Sequence, residues 1–126
     1  MPYKLSIKQR SNYLYITVTG DNTVDTVRSY LTEIRLFCQK HNCPNVLLVE
    51  NLAGPGLDTL NIYNLASSNS AQASLVIGRL AYVDLNPAHK LEDMQFAEDV
   101  AVNRGLIVKV FSTIQAAQQW LREQAN

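Results

Sequence analysis

Residues 46–61 read VLLVENLAGPGLDTLN, and this stretch decides the fold. Val46, Leu47, Leu48 and Val49 are apolar without interruption, the pattern of a central strand covered on both faces. Two glycines then bracket Pro55, a combination that turns the chain sharply. A helix is predicted from about Leu57 to Ser68, with Asp58 or Asn61 as its cap. Buried strand, tight turn and helix together make one step of a parallel sheet.

Working outward, residues 3–9 alternate Tyr3, Leu5 and Ile7 with Lys4, Ser6 and Lys8. Residues 13–19 alternate Leu14, Ile16 and Val18 with Tyr13, Tyr15 and Thr17. A period of two marks half-buried strands, and the short Arg-Ser-Asn link makes them an antiparallel hairpin. Val24, Val27, Leu31, Ile34 and Cys38 then fall at helical spacing, with Thr23 as the N-cap and His41, Asn42 and Pro44 as the stop. Further strands are predicted at 79–84 and 106–111, and helices at 91–104 and beyond Ser112. Gly105 ends the first of these helices, and Ser112 with Gln115 fits a capping box for the second. Ile114, Ala117 and Leu121 share one face of that last helix.

The order ββαβαβαβα implies an α/β domain spanning 1–126. Its mixed five-stranded sheet has an N-terminal antiparallel hairpin, and the remaining strands are parallel. Right-handed crossovers on one face add each strand on the same side. The four helices are therefore expected mainly on one face, with no strand-order reversal and no deep crevice of the kind cofactors use.

The chain has 126 residues, 47% of them apolar and 17% charged, which suits one globular domain with its own core. Eleven Lys and Arg balance eleven Asp and Glu. No net field draws nucleic acid or anionic lipid, and no aromatic-glycine strand motif points to RNA. No apolar run approaches the roughly 18 residues needed to span a bilayer, and no signal-peptide pattern opens the chain. A cytoplasmic protein is expected. Cys38, His41 and Cys43 offer three ligand types, but no second cluster completes a metal site. The thiols read as structural, and neither metal nor cofactor is expected.

The Gly-Pro-Gly turn is not a phosphate loop, because Leu57 and Asp58 stand where such a loop needs Lys and Ser or Thr. No Lys or Arg occurs from Pro44 through Gly78, and Glu50 and Asp58 disfavour an anion. Residues 59–78 carry no charge at all, a composition found in interface cores. Leu52, Pro55 and Leu57 are expected near the surface, and with Asp58, Leu60 and Tyr63 they form the expected partner-binding segment. Asp84, Asn86 and His89 cluster after a strand, where a serine from 67–70 would be needed to complete a hydrolytic triad. No Gly-x-Ser-x-Gly elbow accompanies them, so no catalytic residue is assigned.

Residues 79–121 carry an apolar strand ending in Asp84, a helix with Phe96 and Ala97, a short Val-x-Val-Phe strand and a closing Ala-x-x-Trp-Leu helix. In these features the chain resembles the SpoIIAA-like branch of the STAS domains. The resemblance implies a mixed sheet with helices gathered on one side and a non-enzymatic regulatory module that docks a protein partner or a second copy. In anti-sigma-factor antagonists of this kind, the helix after the third strand begins Asp-Ser-Ser-Gly, and a serine there is phosphorylated. The matching place is Asp58-Thr59-Leu60-Asn61, which keeps the aspartate, offers Thr59 as phosphoacceptor and lacks the Ser-Gly pair. Similar folds hold lipid, so carriage of a hydrophobic small molecule is the alternative. It requires a cavity, which helices bearing Ala66, Ala97, Ala101 and Ala117 would leave.

Overall fold

The computed structural model describes residues 3–124. Along the chain run β1 (Tyr3–Gln9), β2 (Leu14–Asp21), α1 (Val24–His41), β3 (Cys43–Ala53), α2 (Thr59–Ala73), β4 (Ile77–Asp84), α3 (Leu91–Asn103), β5 (Val108–Phe111) and α4 (Ile114–Gln124). The order is ββαβαβαβα, as the sequence implies. The strands lie side by side as β1-β2-β3-β4-β5. Only the first pair among them is antiparallel. Strand order never reverses, so the sheet has no switch-point crevice.

β3 packs both ways. Val46, Leu48 and Leu52 join Val27, Tyr30, Ile34 and Leu65 in the larger core, beneath α1, α2 and α3. Leu47 and Val49 join Ala81, Val83, Ala117 and Leu121 in a second core on the opposite face. The final helix thus crosses to the other side. This refines the expectation of helices mainly on one face: three share it, and α4 does not. There α4 covers the apolar outer faces of β3 and β4, and Trp120 packs against Phe111 at a ring separation of 5.7 Å.

Several ends behave as the sequence indicates. Thr23 Oγ1 accepts the Thr26 amide at 3.1 Å, and Asp58 Oδ1 accepts the Asn61 amide at 2.8 Å. Gly105 follows α3 with φ +97°, the left-handed value that closes a helix. Elsewhere the boundaries shift. α2 runs to Ala73, because Ser68 and Asn69 return their side chains to carbonyls of their own helix and do not break it. α4 is capped by Thr113, whose Oγ1 accepts the Ala116 amide at 3.1 Å, and not by Ser112. In α1 Tyr30 is buried, at 2% exposure, while Leu31 stays half-buried. Cys38 is buried, and Cys43 opens β3.

The start of β3 explains Pro44 and Gly78. Pairing with β2 begins at Val46, so residues 43–45 take their ladder partners from β4 alone and a proline is tolerated there. A Cβ on Gly78 would sit 2.3 Å from the Pro44 carbonyl oxygen, which is backbone and cannot swing aside. Gly78→Ala is therefore expected to destabilise the protein by about 1–3 kcal/mol or more, read as a lower denaturant midpoint.

Candidate functional site

At the carboxyl ends of β3 and β4, where α/β folds place their sites, the chain buries a polar cluster beneath the Gly-Pro-Gly turn. Glu50 continues the alternation of Val46 and Leu48, so its carboxyl points under the helices, and the residue is 4% exposed. Two phenols meet it. Tyr30 of α1 donates to Oε2, and Tyr82 of β4 donates to Oε1 at 2.8 Å. Burial drives the Glu50 carboxyl up to about 7, and the charge of Asp84 adds to this. The two phenol donors and His89 pull the other way. Burial, followed by the Glu50 charge, also raises both phenols well above their ordinary value.

His89 stands beside this group with its side chain 2% exposed, against an Asp84 side chain at 5%. Its Nδ1 lies 2.6 Å from Asp84 Oδ2, and its Nε2 lies 2.9 Å from the Gly54 carbonyl. A carboxylate and a carbonyl only accept, so these two contacts favour the charged ring with both nitrogens donating, while Asn22 Nδ2 also lies 3.3 Å from Nε2. Burial opposes that charge. The bonds to Asp84 and Gly54, with the Asp84 and Glu50 charges, outweigh it and raise His89 above its usual 6.5.

The turn is held from three sides. Besides His89, Asn86 Nδ2 donates to the carbonyls of Leu52 at 2.7 Å and Gly54 at 3.2 Å. Asn22 Nδ2 donates to the Pro55 carbonyl at 2.8 Å. Gly54 itself has φ +104°, which turns its carbonyl toward these donors and favours glycine there. Asn86 is in turn set by Asp84, whose Oδ1 accepts the Asn86 amide at 2.9 Å.

Below the turn lies a chamber of about 100 Å³, walled by Leu57, Ile62, Leu65 and Met94 and ending at Glu50 and His89. A second chamber of about 120 Å³ adjoins it between the sheet and α1–α3. The two share Tyr30, Leu65, Ala66, Tyr82 and Ala97 as walls. The second is apolar, with Leu48, Ala101 and Leu106 among its lining. Ala66, Ala97 and Ala101 thus leave space as the sequence indicates. Ala117 does not, because it is fully buried on the opposite face against α4's core. A broader depression of about 730 Å³ lies at the other end of the parallel strands, near Asn12, His41 and Arg79.

The residues of 52–63 divide. Leu52 is fully buried, not near the surface, because it continues the inward alternation of β3. Leu57 is half-buried over the first chamber. Pro55, Asp58 and Thr59 are exposed, Leu60 is 68% exposed and Tyr63 40%. Asp84, Asn86 and His89 do converge as their spacing indicates. Among the described residues no hydrogen bond joins them to a serine of 67–70. Ser67 instead accepts from Arg104 at 3.0 Å. The sequence reading takes Glu50 only as a charge that disfavours an anion and gives Tyr30 no role. The signal for Glu50 was its place in β3 at the same parity as Val46 and Leu48.

Glu50, Asp84 and His89 offer atoms within 4.8 Å of one another. Each is already hydrogen-bonded within the cluster, and a cation would have to break those bonds. Among the described residues no helix is long and apolar enough to cross a membrane. Comparison of the chain with family models and with curated proteins gives no match.

The cluster sets a pH dependence whose sign follows from protonation. Both groups have folded pKa values above their unfolded ones, so each contributes stability at low pH that is lost as pH rises through the folded value. For Glu50 the window runs from 4.5 to about 7; for His89 it opens at 6.5. Urea melts are expected to show greater stability at the acid side of these windows than above them. Glu50→Gln is expected to flatten the lower window and to narrow the upper one, because the Glu50 charge helps to raise His89.

Proposed function

We propose that this chain is a non-enzymatic binding module that encloses a small apolar molecule between its sheet and α1–α3. The apolar chamber of about 120 Å³ carries the reading. It approaches the ~150 Å³ of a dry cavity that admits benzene, and a void of that size in an otherwise dense core is costly unless filled. The polar cluster supports a binding role over catalysis. His89 Nε2, the nitrogen a general base would present, is spent on the Gly54 carbonyl and holds the turn in place. The element order is also the one that a STAS-like regulatory module of the cytoplasm would have.

Methyl NMR on the purified chain tests this with 1-hexanol. Saturable shifts are expected at Ala66, Ala97 and Ala101, and Ala97→Leu, which fills the space, is expected to abolish them. No saturable shift at these methyls would overturn the reading.

A second reading, docking of a protein partner or another copy on α2, is favoured by Leu60 and Tyr63. They stand exposed one turn apart on a helix without charge, beside the exposed Thr59 as its phosphoacceptor. Leu60→Asp is expected to change stability by no more than about 0.5 kcal/mol while abolishing partner capture or self-association. Undiminished capture by a folded Leu60→Asp protein would remove this reading.

A further inference from the structure

Arg35 stands on α1 one residue past Ile34 and lines the apolar chamber. Its Nε is buried and makes no hydrogen bond. Neither ion pair found among the described residues involves it. Glu98 lines the same chamber from α3, but its Oε1 accepts the Val110 amide at 2.7 Å. Arg35 therefore brings a permanent positive charge, with an unspent donor, to the wall of an otherwise apolar space. Leaving such a donor unpaired costs free energy that an incoming anion would recover.

We propose that the apolar chamber holds a short alkyl carboxylate, its tail among Leu48, Leu65, Ala97, Ala101 and Leu106 and its carboxylate on Arg35. The proposal rests on the chamber being a binding site and adds the chemistry of its occupant. Three features select that chemistry. The guanidinium presents Nε and its neighbouring nitrogens as a fork that matches a carboxylate. The adjoining chamber ends at Glu50, which accepts from two phenols, and at His89, already bonded to Asp84 and Gly54, so it offers an anion no unspent donor and the head group is directed to Arg35. The volume of about 120 Å³ suits a tail on the order of six carbons, judged by the benzene-sized cavity.

Isothermal titration of the full chain with hexanoate, 1-hexanol and hexylammonium tests the assignment. Hexanoate is expected to bind most tightly. Arg35→Met keeps an unbranched apolar stem and should weaken hexanoate by about ten-fold or more while leaving 1-hexanol unchanged. The unchanged alcohol doubles as a control for folding. Arg35→Gln, run in parallel, should match Arg35→Met, and Ala97→Leu should lose both ligands. Equal binding of hexanoate and 1-hexanol, a preference for hexylammonium, or undiminished hexanoate binding by both Arg35 variants would overturn the head-group assignment and leave the chamber as a binding site. If none of the three probes binds, the chamber reading falls with it.

Discussion

The molecule depends on β3 being packed on both faces. Val46, Leu48 and Leu52 anchor one core and Leu47 and Val49 the other, so β3, with β4 beside it, joins the two layers. The same alternation places Glu50 on the inner face at the last residue of β3 that pairs with β4, opposite Asp84. A carboxyl there is almost wholly screened from water, and the fold supplies Tyr30 from α1 and Tyr82 from β4 to meet it. These bonds tie the first helix to the two central strands through one side chain. Breaking them would leave a buried polar group unpaired, a loss larger than the bonds' net worth.

The polar cluster and the apolar space above it are parts of one arrangement. Asp84 orients His89, His89 holds Gly54, and the turn so held carries Leu57 over the first chamber. Asn22 and Asn86 add the bonds that fix Pro55 and Leu52. A turn that would otherwise be mobile is thereby made a roof. On the far side of α2, Arg104 donates to Ser67 at 3.0 Å and to Tyr63 at 3.2 Å, which joins the end of α3 to α2. The helices around the chambers are thus braced to one another as well as to the sheet.

Much of this was legible in the chain because it is written locally. The hairpin of 3–9 and 13–19, the caps at Thr23 and Asp58 and the stop at Gly105 each follow from a few neighbouring residues. So did the convergence of Asp84, Asn86 and His89, which a five-residue loop nearly imposes. What stayed hidden depends on partners distant in sequence. Glu50 looks like the polar end of a short strand until pairing with β2 extends β3 to Ala53. Leu52 looks like a loop residue for the same reason. Tyr30 and Leu31 are both apolar enough to face inward, and only a buried carboxylate needing a donor selects the tyrosine. The side chosen by α4 is set by which face of β3 and β4 is left bare, which no local pattern records. The void among Ala66, Ala97 and Ala101 follows from how two helices approach, although small residues hinted at it.

One edge of the sheet remains open. β1 pairs only with β2, so its outer backbone groups face away from the sheet along seven residues. On the face away from α1–α3 it carries exposed Lys4, Ser6 and Lys8. An added strand from a second molecule would have to bring its own backbone beside two lysines, and a β1 from a like copy would oppose them with two more. Charge of this kind guards against edge-to-edge growth. The lysines that look incidental in the opening decapeptide serve to keep one sheet from becoming part of a larger one.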